Sequence, residues 1–382
     1  MKASIDSAVL HFLHIPFKLK FSHAAADRLC SDSIVLELRC GGHRGFGEAV
    51  VRSYVTGSLG DGKEAGKEAA RFVSEALGPL RRTSDNTKEA LATLAALDCP
   101  KRFLPILCAL ETAFLDASCA ESGRDVYDLL GWQPVHETIP YGGIMPIAPR
   151  ELAERILSLY RQFDLKSVRI KLNADPAYTK AVLELSRGIL GDGTALRVDA
   201  NNAWMDSDAA AQLDLCGRYG VSLIEEPFPM PWNAHEEALR AATARGFGFV
   251  ADEAAVTTED VEALARSGVC AMLNLRLSKN GGLMRVLKLA QAASTAGMGY
   301  QIGCQVGETG ILSALGRAAS SLLPAVRFTD GSYDALLLSS NVTTEDFGFS
   351  REGRAGVVRG KGVGFAVDPG RLAAVTAISI VC

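Results

Sequence analysis

Residues 196–201 read LRVDAN, residues 222–227 read SLIEEP, and residues 248–253 read GFVADE. Each is a short apolar run that stops at a carboxylate: Asp199, Glu225 and Asp252. The acids lie 26 and 27 residues apart, about one strand–helix unit. The same texture on either side gives eight candidate strands, over residues 139–142, 167–172, 196–199, 222–225, 247–252, 271–276, 299–303 and 326–330. Helical patterns lie between them, such as PAYTKAVLELSRGIL from Pro176 and EDVEALARSG from Glu259. Strands alternating with helices of that length imply parallel βαβ units. Eight of them fit a closed (β/α)8 barrel of the modified TIM type, in the α/β class. The rival is an open doubly wound sheet. No Gly-x-Gly-x-x-Gly follows the first strand of the repeat, which weighs against a dinucleotide-binding version of it.

In a parallel barrel the C-terminal ends of successive strands share one rim. A single acid there is readily explained as a helix N-cap or a solvated rim charge. Three at the same place in successive units repel one another unless a cation neutralises them. Oxygen-only ligands suit Mg²⁺, which leaves positions open for water and substrate. Glu226 and Glu253 follow directly, and strand alternation points them to the opposite face, where they can pair with helices or cap them.

The second candidate strand, VRIKLN, supplies Arg169 and Lys171. Residues two apart share a face, so both are expected in the barrel mouth. A lysine beside another cation and a bound metal has its pKa lowered and can act as a base. The alternative is a lysine whose stem lies along the wall with its ammonium at the rim. The sixth strand runs into LNLRLSKNGG, Leu273–Gly282, and carries Arg276 where a titratable base would be more useful.

The chain has 382 residues, is 48% hydrophobic and carries a formal charge of −4. That length accommodates a barrel and a second unit. The expected division is an N-terminal α+β domain over residues 1–135, a barrel over 136–330, and a segment over 331–382 that returns to the first domain. SIVLELRC, Ser33–Cys40, alternates as a strand, and GGHRGFGEAV is a glycine-rich turn into another. The absence of long basic blocks excludes nucleic acid as an expected partner. No apolar run approaches the roughly 20 residues of a membrane span, and the N-terminus lacks the apolar stretch of a signal peptide. A cytoplasmic protein is expected. Nine dispersed cysteines without a Cys-x-x-Cys read as reduced thiols.

Arg169-x-Lys171 on the second strand, Asp199, Glu225 and Asp252 on the third to fifth, and a cation before Gly281-Gly282 on the sixth form a pattern. It resembles the enolase superfamily, in its muconate-lactonizing and dipeptide-epimerase branch within the mandelate racemase/muconate lactonizing family. GFGEAVVRSYVTG resembles that family's capping domain, and GCQVGE, ending at Glu308, its seventh-strand end. The resemblance implies a Mg²⁺-dependent enzyme that abstracts the proton α to a carboxylate, with an enolate stabilised by the ion. Lys171 matches the family's base. Arg169 stands where the family has a lysine that assists electrostatically.

Arg276 departs further. In two-base racemases and epimerases the resemblance places a second lysine at that position. Arginine does not readily give up its proton. Three readings stay open: Arg276 clamps the substrate carboxylate or enolate, Lys279 bends back as the second base, or Arg276 is itself an activated base. No histidine falls at the end of strand six, seven or eight, and Gln301 on the seventh cannot titrate. The resemblance assigns substrate choice to loops of the capping domain, here FSHAAADR (Phe21–Arg28) and RSYVTGS (Arg52–Ser58). Arg28, Tyr54 and Thr56 are the candidates to close over a small anion. Dipeptide epimerases carry an Asp-x-Asp pair after the eighth strand; here Asp330 is followed by Gly331 and Ser332, which counts against a dipeptide. Asp330 can still hold a cationic nitrogen or cap a helix. The expected function is a racemase, epimerase or cycloisomerase acting on a small carboxylate, with a single-lysine dehydratase as the alternative, in a homo-oligomer.

Overall fold

The computed structural model describes residues 5–24, 26–60, 62–229, 231–360 and 362–382. The first four residues of the N-terminal stretch, and Ala25 within FSHAAADR, lie outside them.

Eight parallel strands follow one another around a sheet in chain order: Gly143–Met145, Ser167–Lys171, Ala195–Asp199, Leu223–Glu225, Gly248–Ala251, Cys270–Arg276, Gly299–Gly303 and Val326–Thr329. A parallel bridge between Tyr141 and Thr329, with Gly142 N donating to Thr329 O at 2.8 Å, brings the first strand against the last. The fold is the (β/α)8-type barrel with an N-terminal antiparallel domain. Side chains alternate as the period of two requires. Ile170, Val198, Ile224, Phe249, Leu273 and Ile302 face outwards and join the main core. Leu223, Val250 and Met272 face inwards and form a separate apolar plug, with Phe328 against it.

The expectation for the first strand is off by a few residues. Thr138–Pro140 pairs antiparallel with Arg354–Gly356, and the barrel strand starts at Gly143. Gly143 fits because a Cβ there would lie 2.7 Å from the Tyr160 ring, which packs over the start of the barrel strand.

The N-terminal sheet has the order Thr376–Val381, Ile5–Leu13, Ile34–Cys40, His43–Ala49, all antiparallel, so the C-terminal strand completes a sheet begun at the N-terminus. A hairpin, Ile15–His23 with Ala26–Ser31, projects from it. The helix Leu104–Ser122 lies across this sheet and is buried nearly throughout. Together with the short helical turn before it, it is long and apolar enough to cross a membrane, but it is apolar all round because sheet and barrel both pack on it. Its backbone approaches the strand at two glycines. A Cβ on Gly45 would come within 2.0 Å of Ala113 O, and one on Gly47 within 1.9 Å of Ala109 O. Glycine is required at both positions by this contact, and not by a turn, since Gly45 and Gly47 lie inside the strand His43–Ala49.

The two units meet along the C-terminal ends of the barrel strands. Glu48 of the N-terminal sheet accepts from Thr309 N, Thr309 Oγ1 and Leu312 N, capping the helix Gly310–Leu322. Glu111 of the buried helix accepts from Leu283 N and Met284 N at the start of Leu283–Thr295. Carboxylates at helix N-termini satisfy otherwise orphaned N–H groups.

Candidate active site

Strand register builds the site. Lys171 pairs with Asp199, and Asp199 with Glu225. Asp252 follows directly after Ala251, the last residue of the fifth strand. One oxygen from each of Asp199, Glu225 and Asp252 lies within 4.8 Å of the others, and all three residues are buried. Each is held by a cation. Lys171 Nζ donates to Asp199 Oδ2 at 2.5 Å and to Asn201 Oδ1 at 3.1 Å. Arg169 donates to both oxygens of Glu225. Arg276 donates to Asp252 Oδ2, and its other terminal nitrogen donates to Gln305 Oε1 at 3.0 Å. Burial alone would raise the Glu225 carboxyl, but Arg169, Arg276 and Lys171 together hold it well below the usual range. Burial pushes the Asp199 carboxyl up.

Three buried carboxylates converging on one point form an oxygen-only donor set. That chemistry fits a hard divalent cation such as Mg²⁺ and does not favour Zn²⁺, which draws on nitrogen and sulfur.

Lys279 is fully buried. Its ammonium donates to Asp252 Oδ1 at 3.0 Å, Asp252 O at 2.7 Å and Asn274 O at 2.6 Å. Burial, with the nearby Arg276 charge, lowers its pKa to about 7. It stands behind Asp252 and does not line the cavity described below. Asn280 fixes the turn by accepting from Arg276 N.

Beneath the triad lies a polar layer that the sequence reading did not anticipate as such. Arg197 sits directly beside Arg169 in register. The two guanidiniums are reconciled by Asp330, which takes Arg197 at 2.8 Å and lies 3.3 Å from Arg169 Nε. Gln301 accepts from Arg197 and donates to Glu225 Oε2 at 3.1 Å, and Asn274 donates to Glu225 Oε1 at 2.8 Å. Asp330 and Gln301 are therefore structural neighbours of the triad, buried under it and committed to arginine. The signal for Arg197 was present: it stands two residues before Asp199, on the same strand face.

Glu226 departs from the expected pattern. It lies beyond the strand end with φ 41°, a left-handed conformation that interrupts alternation. Its carboxylate accepts from Asp252 N, Ala254 N and the Trp232 ring N–H, so it braces the end of the fifth strand and caps no helix. Glu253 turns back towards Asn201, whose Nδ2 lies 3.4 Å from its Oε1.

A cavity of about 170 Å³ opens beside the triad. Arg169, Lys171 and Arg276 line one end, with Glu308 and the loop of Cys304, Gln305 and Val306. Glu308 accepts from Gln305 N at 2.6 Å, and burial lifts its pKa to about 8. The capping-domain side chains in the wall are Leu19 and Phe21, from the hairpin strand. Arg28, Tyr54 and Thr56 do not line this cavity. Arg28 pairs with Asp32, Tyr54 OH meets His23 Nε2 at 3.3 Å, and Thr56 is buried. Arg52, missed in the sequence, is buried and ties Asp32 to the carbonyl of Val306, while Ser31 Oγ donates to Gly307 O at 2.5 Å. The signal for Leu19 and Phe21 was their i, i+2 spacing in FKLKF. All nine cysteines are free thiols.

Residues 150–371 match the family model described as enolase C-terminal domain-like. The chain belongs to this family, and it is an enzyme of the enolase superfamily. It is 28% identical over 351 residues to muconate cycloisomerase 1 of Pseudomonas putida, covering 89% of each chain. It superimposes on N-succinyl Arg/Lys racemase from Bacillus cereus with a TM-score of 0.86, at 20% identity and over the whole of both chains. With the dipeptide epimerase of Enterococcus faecalis, solved with Mg and a dipeptide, the TM-score is 0.80 at 20% identity, covering 96% of this chain and all of that one. These relatives are a cycloisomerase, a racemase and an epimerase.

Proposed function

We propose that this protein removes the proton on the carbon α to a small carboxylate, with Lys171 as base, in a racemase, epimerase or cycloisomerase reaction. The observation that carries the reading is the position of Lys171 Nζ. It lies in the wall of the cavity while bonded to Asp199 of the converging acid triad. A Mg²⁺ ion held by Asp199, Glu225 and Asp252 would supply positive charge where the substrate carboxylate gains negative charge. The chain's own groups do the rest. Asp199 and Asn201 orient Lys171, which accepts the α-proton at Nζ. Arg169 and Arg276 hold the Glu225 carboxyl low and add fixed positive charge at the same end. Arg276, fixed between Asp252 and Gln305 in the cavity wall, serves as a clamp on the substrate carboxylate. Lys279 positions Asp252. Glu308, whose carboxyl burial raises to about 8, can hold a proton and donate it or a hydrogen bond into the cavity. Gln301 and Asp330 support Glu225 and Arg169 from below.

A dehydratase is the second reading, favoured by one observation: among the described residues lining the cavity, Lys171 is the sole lysine. One lysine suits elimination, where the same group takes a proton and returns it to a leaving hydroxyl. Incubating candidate acids with the Mg²⁺-loaded protein in D₂O separates the two. Deuterium in both stereoisomers of recovered substrate supports racemisation; loss of water supports elimination; no α-exchange with any carboxylate overturns both.

The pairing of Thr376–Val381 with Ile5–Leu13 supports the division into residues 1–135, 136–330 and a returning segment 331–382. A homo-oligomer in the cytoplasm, with a small carboxylate as partner, belongs to the same proposal.

A further inference from the structure

The cavity has two ends of different chemistry. At one end stand Arg169, Lys171, Arg276 and Glu308. The other wall is apolar: Leu19 and Phe21 from the hairpin, Ile156 and Leu159 from the helix Arg150–Gln162, and Leu336 and Leu337 after the eighth strand. Residues far apart in sequence are stitched together to make it. Phe17 bridges Leu338, Ser339 N donates to Pro16 O at 2.9 Å, and Lys18 Nζ donates to Ala335 O at 2.6 Å. Leu159 and Leu336 belong to this wall and are 37% and 41% exposed, so the wall can still take up an apolar group.

Polar atoms near the apolar wall are already committed. Tyr160 OH donates to Ile144 O at 2.7 Å and Tyr333 OH to Gly142 O at 2.6 Å, so these phenols spend their protons on backbone. Asp334 accepts from Ser313 Oγ at 2.7 Å and from Asn341 Nδ2 at 2.6 Å. Glu308, the other carboxylate in the lining, stands at the opposite end with Arg169, Lys171 and Arg276. Arg169 and Arg276 are bound to Glu225 and Asp252 at the opposite end. Among the described residues of the apolar wall, Asp334 is the one carboxylate and is already paired, and no cation stands there to receive a second carboxylate. A charged tail would lose its hydration there without a partner.

We propose that the substrate carries a single charge, its carboxylate, and that the remainder is an uncharged aliphatic or aryl group seated between Leu19, Phe21, Ile156 and Leu336. This rests on the reading that the carboxylate end faces Lys171 and the triad. It adds that the apolar wall selects the tail, as binding sites with few placed polar groups and a mostly apolar lining do.

The test uses three probes with one head group and different tails: N-acetyl-leucine, N-acetyl-glutamate and N-acetyl-lysine. Binding to the Mg²⁺-loaded protein is measured by calorimetry, and α-deuterium exchange by NMR. N-acetyl-leucine should bind at least about tenfold more tightly than either charged probe, the discrimination of about 1.4 kcal/mol expected for an unpaired charge at an apolar wall. Leu336→Lys, at a partly exposed position that tolerates the change, should shift preference towards N-acetyl-glutamate. A charged probe binding as well as or better than N-acetyl-leucine overturns the proposal, as does absence of binding by all three. Selective binding of N-acetyl-leucine without exchange keeps the apolar tail and counts instead against proton abstraction.

Discussion

Arg276 is held by Asp252 on one side and Gln305 on the other, and that geometry assigns work to its neighbours. With the arginine fixed in these contacts, and a guanidinium a poor base in any case, proton abstraction falls to Lys171. Lys171→Ala should lower α-proton exchange by about 10³-fold or more, in the range expected for a general base, while calorimetry still finds Mg²⁺ binding; exchange at the wild-type rate would remove Lys171 from the reaction. Lys279 is the contrasting case. Its ammonium satisfies a carboxylate oxygen and two carbonyls in the interior, so Lys279→Met should destabilise the fold by about 3 kcal/mol. Urea unfolding reads this directly. A Lys279→Met protein of unchanged stability but lost exchange would instead make Lys279 a second base. The arginine at 276 and the lysine at 279 were visible as letters, but which of them faces the cavity was not, because a turn of four residues, Leu277–Asn280, decides it.

The element that sets the two units together is the helix Leu104–Ser122. Its Glu111 is fully buried, and burial raises its pKa to about 7 from 4.5. Between these values the folded protein holds a proton that the unfolded chain has released. Stability therefore falls as pH rises from about 4.5 to about 7, by about 3 kcal/mol for this group. Glu111→Gln keeps an acceptor for Leu283 N and Met284 N and offers its amide to the side of Glu111 Oε2, which has no partner. Urea midpoints at about pH 5 and about pH 8 should differ less in the variant than in the wild type; equal differences would refute the assignment. This element was legible only as part of the expected α+β domain over residues 1–135. Its burial on all sides was not, because that depends on Gly45 and Gly47 letting a strand approach it.

For the molecule as a whole, the acid triad links metal to fold. An ion that binds the native state alone stabilises it by RT ln(1 + [L]/Kd), about 2.7 kcal/mol at one hundred times Kd. Mg²⁺ should raise the thermal midpoint of the wild type and not that of Asp199→Asn. An equal rise in both would detach the triad from metal binding.

The strand–helix repeat, its period and the acid at three successive strand ends are local facts, since alternation and spacing are written along one segment at a time. They determined the barrel and placed Asp199, Glu225, Asp252 and Lys171 on one rim. The partners of those groups were decided in three dimensions. Asp330 meets Arg169 and Arg197 across the barrel interior, and Leu19 and Leu336 line one cavity only because Ile15–His23 docks against the segment after the eighth strand. Side chains more than a hundred residues apart share a wall through closure of the sheet and docking of the hairpin, and no periodicity within either segment encodes that meeting.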